Sequence, residues 1–290
     1  MSSDKITSHA KVGIIGGGIM GVSLLYHLAK EGWKDLVLIE KGELTSGSTW
    51  HAAGQCPQMM GSYNLAKIHK ESNNLYKKLE KETEQPTGFH ECGSLRIAYK
   101  KEDLDWFKYV KGILDNIGAP SEIISTNEIR KVHPFIKLDG ILGAFHTPDD
   151  GHTDPTSTTN AMAKGARNYG AKIYRKNRVT DIKQLSSGEW KLITEKGDIV
   201  CEHVVNAAGS YGPEVGAMVG LKNIPSINMI HHYLVTDEHP SIAKLEKELP
   251  VVRDPQASAY LRQEGKGLLI GPYEKNTKCW ALNGMDWKFD

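Results

Sequence analysis

The stretch KVGIIGGGIMG, near the start of the chain, constrains the fold more than any other part of the sequence. A short apolar run at residues 12–15 is followed by Gly16, Gly18 and Gly21, and then by apolar residues at helical spacing as far as Gly32. A second apolar run, DLVLIEK, comes next. Continuous apolar runs are typical of buried parallel strands, and a glycine turn between strand and helix is typical of a Rossmann βαβ unit. The sequence therefore predicts an α/β fold built on a nucleotide-binding sheet.

The three glycines form the pattern G-x-G-x-x-G, in which each position has its own physical purpose. Gly16 allows the tight turn, Gly18 lets a pyrophosphate approach the backbone, and Gly21 lets the helix pack closely on the strand. Glu40 ends the second strand, where an acid accepts hydrogen bonds from an adenosine ribose. The pattern does not separate NAD from FAD, but an acid at this position disfavours the phosphorylated ribose of NADP. The alternative is a glycine-rich turn that binds no ligand.

Composition and charge exclude several classes of function. The formal net charge of +1, with 24% charged and 39% hydrophobic residues, does not favour a nucleic-acid surface. The four cysteines lie far apart, so we expect reduced thiols and no metal site. Ten mostly polar residues precede the first strand, and no apolar run is long enough to span a bilayer, so we expect a cytoplasmic protein without a membrane partner.

A loop of small residues, GELTSGSTWHAAGQ, follows the second strand where an NAD dehydrogenase usually continues into a helix. Glycine, alanine, serine and threonine dominate residues 42–55, which we call the small-residue loop, and Trp50 and His51 are its two large aromatic residues. Such a loop lies flat against a large planar ligand and offers it N–H and hydroxyl donors. It favours FAD over NAD.

The rest of the pattern predicts two interleaved domains. Amphipathic helices are expected at residues 65–85 and 101–118, a helix capped by Asp154 at 154–171, and a hairpin from 179. Strands are expected in GSLRIAY, INMIHHYLVT, SAYLRQ and LLIGPYE, with a charged helix around SIAKLEKEL. We predict a discontinuous nucleotide domain at residues 1–90 and 146–220, and a sheet-rich second domain at residues 91–145 and 221–290.

Six motifs along the chain resemble one family, the FAD-dependent dimethylglycine and sarcosine dehydrogenases among the glycine-oxidase-like amine oxidoreductases. They are GGGIMG, LIEKGELTSGSTWHAAG, GFHECGSLRIA, DDGHTDPTSTTNAMAKGAR, VVNAAGSYGPEVG and AYLRQEGKGLLIGPYE. The combination is closer to dimethylglycine dehydrogenase than to glycine oxidase. It implies a Rossmann-type FAD domain of the glutathione-reductase-like, DAO type, interleaved with a sheet-rich α+β substrate domain.

The resemblance implies that His51 carries FAD covalently, through a bond from a ring nitrogen to the flavin 8α-methylene. A neutral imidazole is nucleophilic enough for such a bond. The alternative is a loop histidine packed beside Trp50, with FAD bound non-covalently. The resemblance also implies further residues that contact the cofactor, in order from the pyrophosphate through the ribose and the flavin to the adenine and the last turn. They are Ile19, Met20, Glu40, Lys41, Gly47, Ser48, Thr49, Trp50, Ala52, Ala53, Gly54, Gln55, Val179, Gly209 and Tyr211.

Three residues are candidates for the substrate side. The resemblance implies a catalytic histidine in MIHHYLVT, for which His231 is favoured and His232 stays open, and an active-site tyrosine at Tyr260. On a strand, neighbouring residues face opposite sides, so only one of the two histidines would face a flavin. Arg262 lies two residues after Tyr260 and would share its face, as a candidate clamp for a substrate carboxylate. The alternative is that the histidine and Tyr260 only pack against neighbouring residues and that Arg262 forms a surface ion pair.

The function implied is oxidative demethylation of dimethylglycine or sarcosine. Hydride passes to FAD, and the carbon leaves as formaldehyde or passes to folate, with an electron-transfer flavoprotein or oxygen as acceptor. Family members continue beyond the length of this chain, so a second hypothesis is a catalytically incomplete flavin-binding fragment or a subunit completed by a partner. A third is oxidation of another secondary amine.

Overall fold

The structure, a computed structural model, describes residues 6–288. Residues 1–5, part of the segment on which the expected localisation depends, lie outside this range. The helices are α1 Ile19–Lys30, α2 Tyr63–Thr83, α3 Lys101–Asn116, α4 Thr126–Val132, α5 Pro155–Asn168, α6 Gly212–Ala217 and α7 Pro240–Ala243. The strands are β1 His9–Ile15, β2 Leu36–Ile39, β3 Gln55–Cys56, β4 Ser94–Ala98, β5 Glu122–Ile124, β6 Gly143–Thr147, β7 Gly151–His152, β8 Lys172–Tyr174, β9 Val179–Gln184, β10 Trp190–Thr194, β11 Gly197–Asn206, β12 Asn228–Met229, β13 Leu234–Val235, β14 Val251–Asp254, β15 Ala259–Glu264, β16 Gly267–Pro272 and β17 Cys279–Trp280.

A six-stranded sheet carries the predicted Rossmann unit. Its strand order is β8-β2-β1-β11-β10-β9, in which β8, β2, β1 and β11 run parallel and β9, β10 and β11 form an antiparallel meander. The α/β class and the Rossmann-type nucleotide fold are confirmed.

Helices α1 and α5 cover one face of this sheet. Val22, Leu25 and Tyr26 of α1 pack with Ala161 and Met162 of α5 in one buried cluster, and a second cluster fills the opposite face. Asp154 caps α5 as predicted, since its side chain accepts a hydrogen bond from the backbone of residue 157. A sheet buried on both faces explains why β2 and the second half of β1 are uninterrupted apolar runs.

A seven-stranded mixed sheet forms the second layer, in the order β13-β16-β15-β14-β4-β6-β5. Its strands come from two separate parts of the chain, because the parallel pair β14 and β4 joins residues 251–253 to residues 94–96. The domain limits stay predictions. Strand β6 belongs to the second sheet and extends to Thr147, past the limit expected at residue 145.

Two predictions in the last third of the chain are wrong. The segment INMIHHYLVT is not one strand, because β12 pairs with β17 while β13 pairs with β16, and the two histidines lie between these pairings. The charged helix around residues 241–249 shortens to the four residues of α7. Pro250 disfavours helical backbone in the residue before it, and Glu248 turns to bind two histidines.

No helix within residues 6–288 is long and apolar enough to cross a membrane.

Candidate functional site

The glycine turn between β1 and α1 has the close contacts that the pattern predicts. Gly16 has φ +117°, and a Cβ there would lie 2.3 Å from the carbonyl oxygen of Ala207. A Cβ on Gly21 would lie 2.0 Å from the carbonyl oxygen of Gly16. Around Gly18, by contrast, the nearest atom to such a Cβ is the Thr49 hydroxyl at 3.0 Å. The fold therefore requires glycine at positions 16 and 21. At Gly18 the backbone stays accessible to a ligand outside the turn.

Substitution of Gly21 by alanine is expected to destabilise the protein by at least about 2 kcal/mol, because the added methyl overlaps a backbone oxygen that cannot move away. The matched control is Gly112→Ala, in helix α3, where a Cβ meets nothing within 4 Å. That change should be neutral or stabilise by up to about 1 kcal/mol, since alanine favours helix more than glycine does. Urea unfolding monitored by circular dichroism measures the stability of both variants. Equal stabilities would contradict the conclusion that the fold requires glycine at position 21.

The N-terminus of α1 is arranged for an anion. The first turn contains no acidic residue, and the cap residue Gly18 has no side chain to satisfy its N–H groups. The N–H of Ile19 is bound by the Thr49 hydroxyl at 3.0 Å, which brings the small-residue loop over the helix end. The side chain of Met20 is 76% exposed beside it. Free N–H groups and the helix dipole favour a phosphate at this point.

Glu40 lies at the carboxyl end of β2, against the glycine turn. Its carboxylate accepts hydrogen bonds from the backbone N–H of Gly17 at 2.6 Å and of Gly42 at 2.7 Å. The ammonium of Lys41 lies 5.1 Å from the ring centroid of Tyr211, and that ring stacks on Trp287 at 4.9 Å. This places the predicted ribose acid at the topological point where Rossmann sheets bind nucleotides.

The residues predicted to contact the adenine and the last turn of the cofactor lie near one residue that the sequence did not indicate. Val179 is buried at the start of β9, and Gly209 and Tyr211 lie in a short 3-10 turn after β11. The guanidinium of Arg178 lies 5.4 Å from the ring centroid of Trp287. Trp287 was not predicted, because no local pattern links it to a turn so far away in sequence.

The small-residue loop folds as a series of turns over the glycine turn. The N–H of Thr45 donates to the carbonyl of Gly17 at 3.0 Å, and Thr45 has a positive φ of 70°. The rings of Trp50 and His51 lie 3.8 Å apart, both exposed, and His51 Nδ1 is 3.2 Å from the carbonyl oxygen of Gly47. The remaining loop residues predicted to line the flavin, none of which has a bulky side chain, are Ser48, Ala52, Ala53, Gly54 and Gln55.

These residues fit FAD. The turn leaves the backbone accessible at Gly18, Gly18 gives the α1 N-terminus no side-chain cap, Glu40 lies at the end of β2 as predicted for a ribose acid, and a loop of small side chains follows it. Open space surrounds the Cβ positions of Gly47 and Gly209. A dinucleotide with a large planar ring matches this sequence of features along the sheet edge.

Arg262 connects the small-residue loop to the second sheet. Its Nε donates to the carbonyl of Ala53 at 2.8 Å, and its Nη1 donates to the carbonyl of Gln263 and pairs with Glu264 at 2.6 Å. The residue is only 8% exposed. In this conformation the guanidinium holds the loop, and its action on a substrate carboxylate stays a prediction.

Tyr260 shares the face of β15 that carries Arg262, as the two-residue spacing predicts. Its ring lies across the opposite residue Gly271, where a Cβ would be 2.1 Å from the ring. Burial, and then the neighbouring Tyr273, raise the pKa of Tyr260. The phenol therefore stays protonated at physiological pH and is a hydrogen-bond donor.

His231 and His232 do not face opposite sides, since one carboxylate binds both. Glu274 accepts from His231 Nδ1 at 2.7 Å and from His232 Nδ1 at 3.1 Å. The ring of His231 stacks on Tyr273 at 5.2 Å and lies 6.1 Å from the Tyr260 ring, whereas the His232 side chain is 74% exposed. The backbone N–H of Glu274 itself and then His231 lower the pKa of Glu274 to about 2. Glu274 was not predicted, although it ends the recognised motif LLIGPYE.

Asp150 is a buried acid that joins the segment after β3 to β4 of the second sheet. It is fully buried and accepts hydrogen bonds from the backbone of Gln58 at 2.9 Å, from the Gln58 amide at 3.1 Å and from the Ser94 hydroxyl at 2.5 Å. Burial raises the pKa of Asp150 to about 7 in spite of these donors.

The pKa of Asp150 is higher in the folded chain than in the unfolded chain. Its contribution to the stability of the fold is therefore complete below the unfolded pKa and is lost as the pH rises through about 7. We expect its contribution to the free energy of unfolding to fall by about 2 kcal/mol between pH 5 and pH 7.5. Urea unfolding of the wild type and of Asp150→Asn at both values measures this. The variant should lose most of the pH dependence of the free energy of unfolding. An unchanged pH dependence would contradict the raised pKa of Asp150.

The sheet order, glycine turn and loop together define a Rossmann-type dinucleotide-binding protein with a second, substrate-side sheet. Residues 11–288 match the family model described as FAD dependent oxidoreductase, DAO. The chain belongs to this family, so the resemblance in its motifs is confirmed and its cofactor is FAD.

Two curated relatives and one solved structure illustrate what the chain is similar to. The chain is 45% identical to dimethylglycine dehydrogenase, mitochondrial, of Rattus norvegicus over 281 residues, which is 95% of this chain and 33% of that protein. It is 35% identical to sarcosine dehydrogenase, mitochondrial, of Homo sapiens over 301 residues, 99% of this chain and 32% of that one. The L-proline dehydrogenase from P. horikoshii superposes with a TM-score of 0.82 at 29% identity, covering 92% of this chain and 70% of that one. The chain spans about a third of the length of these curated relatives.

Proposed function

We propose that the protein is an FAD-dependent amine dehydrogenase or oxidase that removes an N-methyl group from a small glycine derivative, dimethylglycine or sarcosine. The observation that carries this is the hydrogen bond from Arg262 to Ala53, which ties the loop of the flavin site to the strand bearing Tyr260. His231 lies beside that tyrosine. The relatives named dimethylglycine and sarcosine dehydrogenase support this choice of substrate.

The proposal includes a covalent bond between FAD and His51. His51 is exposed on the small-residue loop, and its Nδ1 faces the Gly47 carbonyl, which leaves Nε2 available as the nucleophile. Bound FAD supplies the acceptor for a hydride from the N-methyl carbon.

Residues of the second sheet orient the amine for this transfer. Glu274 is a carboxylate throughout the physiological range and fixes the His231 ring by accepting from Nδ1, so that Nε2 of His231 faces away with its lone pair. That nitrogen accepts the proton of the substrate ammonium and leaves a neutral amine, as hydride loss requires. The Tyr260 hydroxyl donates a hydrogen bond to the substrate, and Arg262, whose guanidinium holds Ala53 and pairs with Glu264 in this structure, is the proposed clamp for the substrate carboxylate.

The one-carbon product leaves as formaldehyde or passes to tetrahydrofolate, and an electron-transfer flavoprotein is the proposed partner for reoxidation. The proposed compartment is the cytoplasm. The proposals on the one-carbon product and the electron acceptor rest on the resemblance to the dehydrogenase family, and the proposed compartment rests on the reduced cysteines.

Steady-state turnover with an artificial dye as electron acceptor tests the substrate class. Dimethylglycine, sarcosine and glycine form the panel, and dye reduction and formaldehyde are measured together. We expect turnover with one or both N-methylated compounds, one formaldehyde per two electrons, and none with glycine. Turnover of glycine alone, or dye reduction without formaldehyde, would contradict demethylation.

A further inference from the structure

Three metal-ligating side chains from distant parts of the chain converge beside the end of the small-residue loop. They are His90, after α2, His152 in β7, and Glu248, before β14. Glu248 Oε2 lies 2.7 Å from His90 Nδ1, and Oε1 lies 2.5 Å from His152 Nε2. The three ligand atoms all lie within 4.8 Å of one another, and no other group of His, Cys, Asp or Glu within residues 6–288 meets that condition. We call these residues the His-His-Glu cluster.

Backbone pairing brings the two imidazoles together. His90 and His152 form an antiparallel bridge with two hydrogen bonds, of 2.8 and 3.1 Å, so their side chains stand on the same side. The ring centroids lie 4.9 Å apart. A Cβ on Gly151 would lie 1.8 Å from the His90 carbonyl oxygen, so only glycine permits this approach. The main chain thus fixes two of the three groups before any ligand binds.

The cluster has the charge and access that a cation requires. Each oxygen of the Glu248 carboxyl meets one imidazole nitrogen, so an acidic side chain stands between the two rings. The His152 side chain is 7% exposed, Glu248 26% and His90 53%, so the cluster opens to solvent on one side.

We propose that the His-His-Glu cluster binds one borderline divalent cation, with Zn²⁺ as the representative ion. Two imidazole nitrogens and one carboxylate oxygen are a donor set that suits Zn²⁺ and Co²⁺, with water completing a tetrahedron. Ligands at about 2.0–2.2 Å from such an ion need only small side-chain rotations from the present separations. Because His152 pairs with Gln55, the last residue of the small-residue loop, the ion also anchors the end of that loop.

The test uses the full chain after treatment with a chelator, titrated with Zn²⁺ by calorimetry and with Co²⁺ by visible absorption. We expect one ion per chain and Co²⁺ bands typical of a tetrahedral site. The variants His90→Ala, at an exposed position, and Glu248→Gln, which keeps the shape, should each weaken Zn²⁺ binding at least about tenfold. His232→Ala is the matched control, because it alters the other carboxylate that two histidines share, and its affinity should be unchanged.

Two results would overturn the proposal. One is that the wild-type chain does not bind Zn²⁺. The other is that His90→Ala and Glu248→Gln both bind Zn²⁺ as tightly as the wild type, which would place the ion elsewhere.

Discussion

Replacing His51 by alanine is expected to abolish covalent flavin while the glycine turn still binds FAD non-covalently. The reason is that the imidazole is the proposed nucleophile, whereas the pyrophosphate and ribose contacts come from Gly18, Glu40 and the start of α1. Acid precipitation separates the two kinds of binding. Flavin of the wild type should stay in the protein pellet, and all flavin of His51→Ala should appear in the supernatant.

The matched control for this experiment is His203→Ala, an exposed histidine on β11 outside the small-residue loop. It should retain flavin in the pellet as the wild type does. Release of all wild-type flavin by acid, or flavin retained by His51→Ala, would exclude attachment through His51.

The second large effect is expected at His231. Replacement by asparagine removes the proposed proton acceptor and should lower kcat/KM for dimethylglycine by about 10²–10⁴-fold, the usual contribution of a general base. Replacement of His232 should change kcat/KM less than about threefold, because exposed positions without substrate contacts seldom matter. Steady-state kinetics across pH measures both. Equal losses in the two variants would show that the histidines act as one structural unit with Glu274.

Glu274→Gln separates positioning from mere packing in the same assay. The amide keeps the size of the side chain but loses the charge that the two histidines share. We expect kcat/KM to fall at least about tenfold, because the His231 ring loses the carboxylate that holds its Nδ1 side. Glu274→Asp, which keeps the charge, should recover part of this loss, and equal losses in the two variants would assign Glu274 a structural role only.

The parts of the fold that local patterns specify were predictable from sequence. The βαβ unit depends on contacts between neighbouring residues: apolar strands, a glycine turn, and a helix with its apolar face toward the sheet. The cap of α5 by Asp154 is equally local. Strands β5 and β14 were not predicted, since they are short and depend on pairing with distant partners.

The sequence predicted the candidate site only where the contacts of a residue are with residues close to it in sequence. The predicted strand through His231 and His232 failed because the chain leaves one sheet after Met229 and joins another at Leu234, with both histidines in between. The roles of Arg262 toward Ala53 and of Glu274 toward the histidines depend on contacts between residues far apart in sequence. The His-His-Glu cluster also joins residues far apart in sequence, so the cysteine spacing, from which we expected no metal site, carried no information about it.

Anaerobic mixing of the flavin-loaded chain with dimethylglycine or sarcosine tests the central claim most directly. Absorbance of the oxidised flavin is followed in a stopped-flow instrument, so that the identity of the final electron acceptor does not matter. The account predicts bleaching whose rate rises with the amine concentration and saturates, and whose amplitude corresponds to all of the bound flavin. A flavin that stays oxidised with both amines would contradict it.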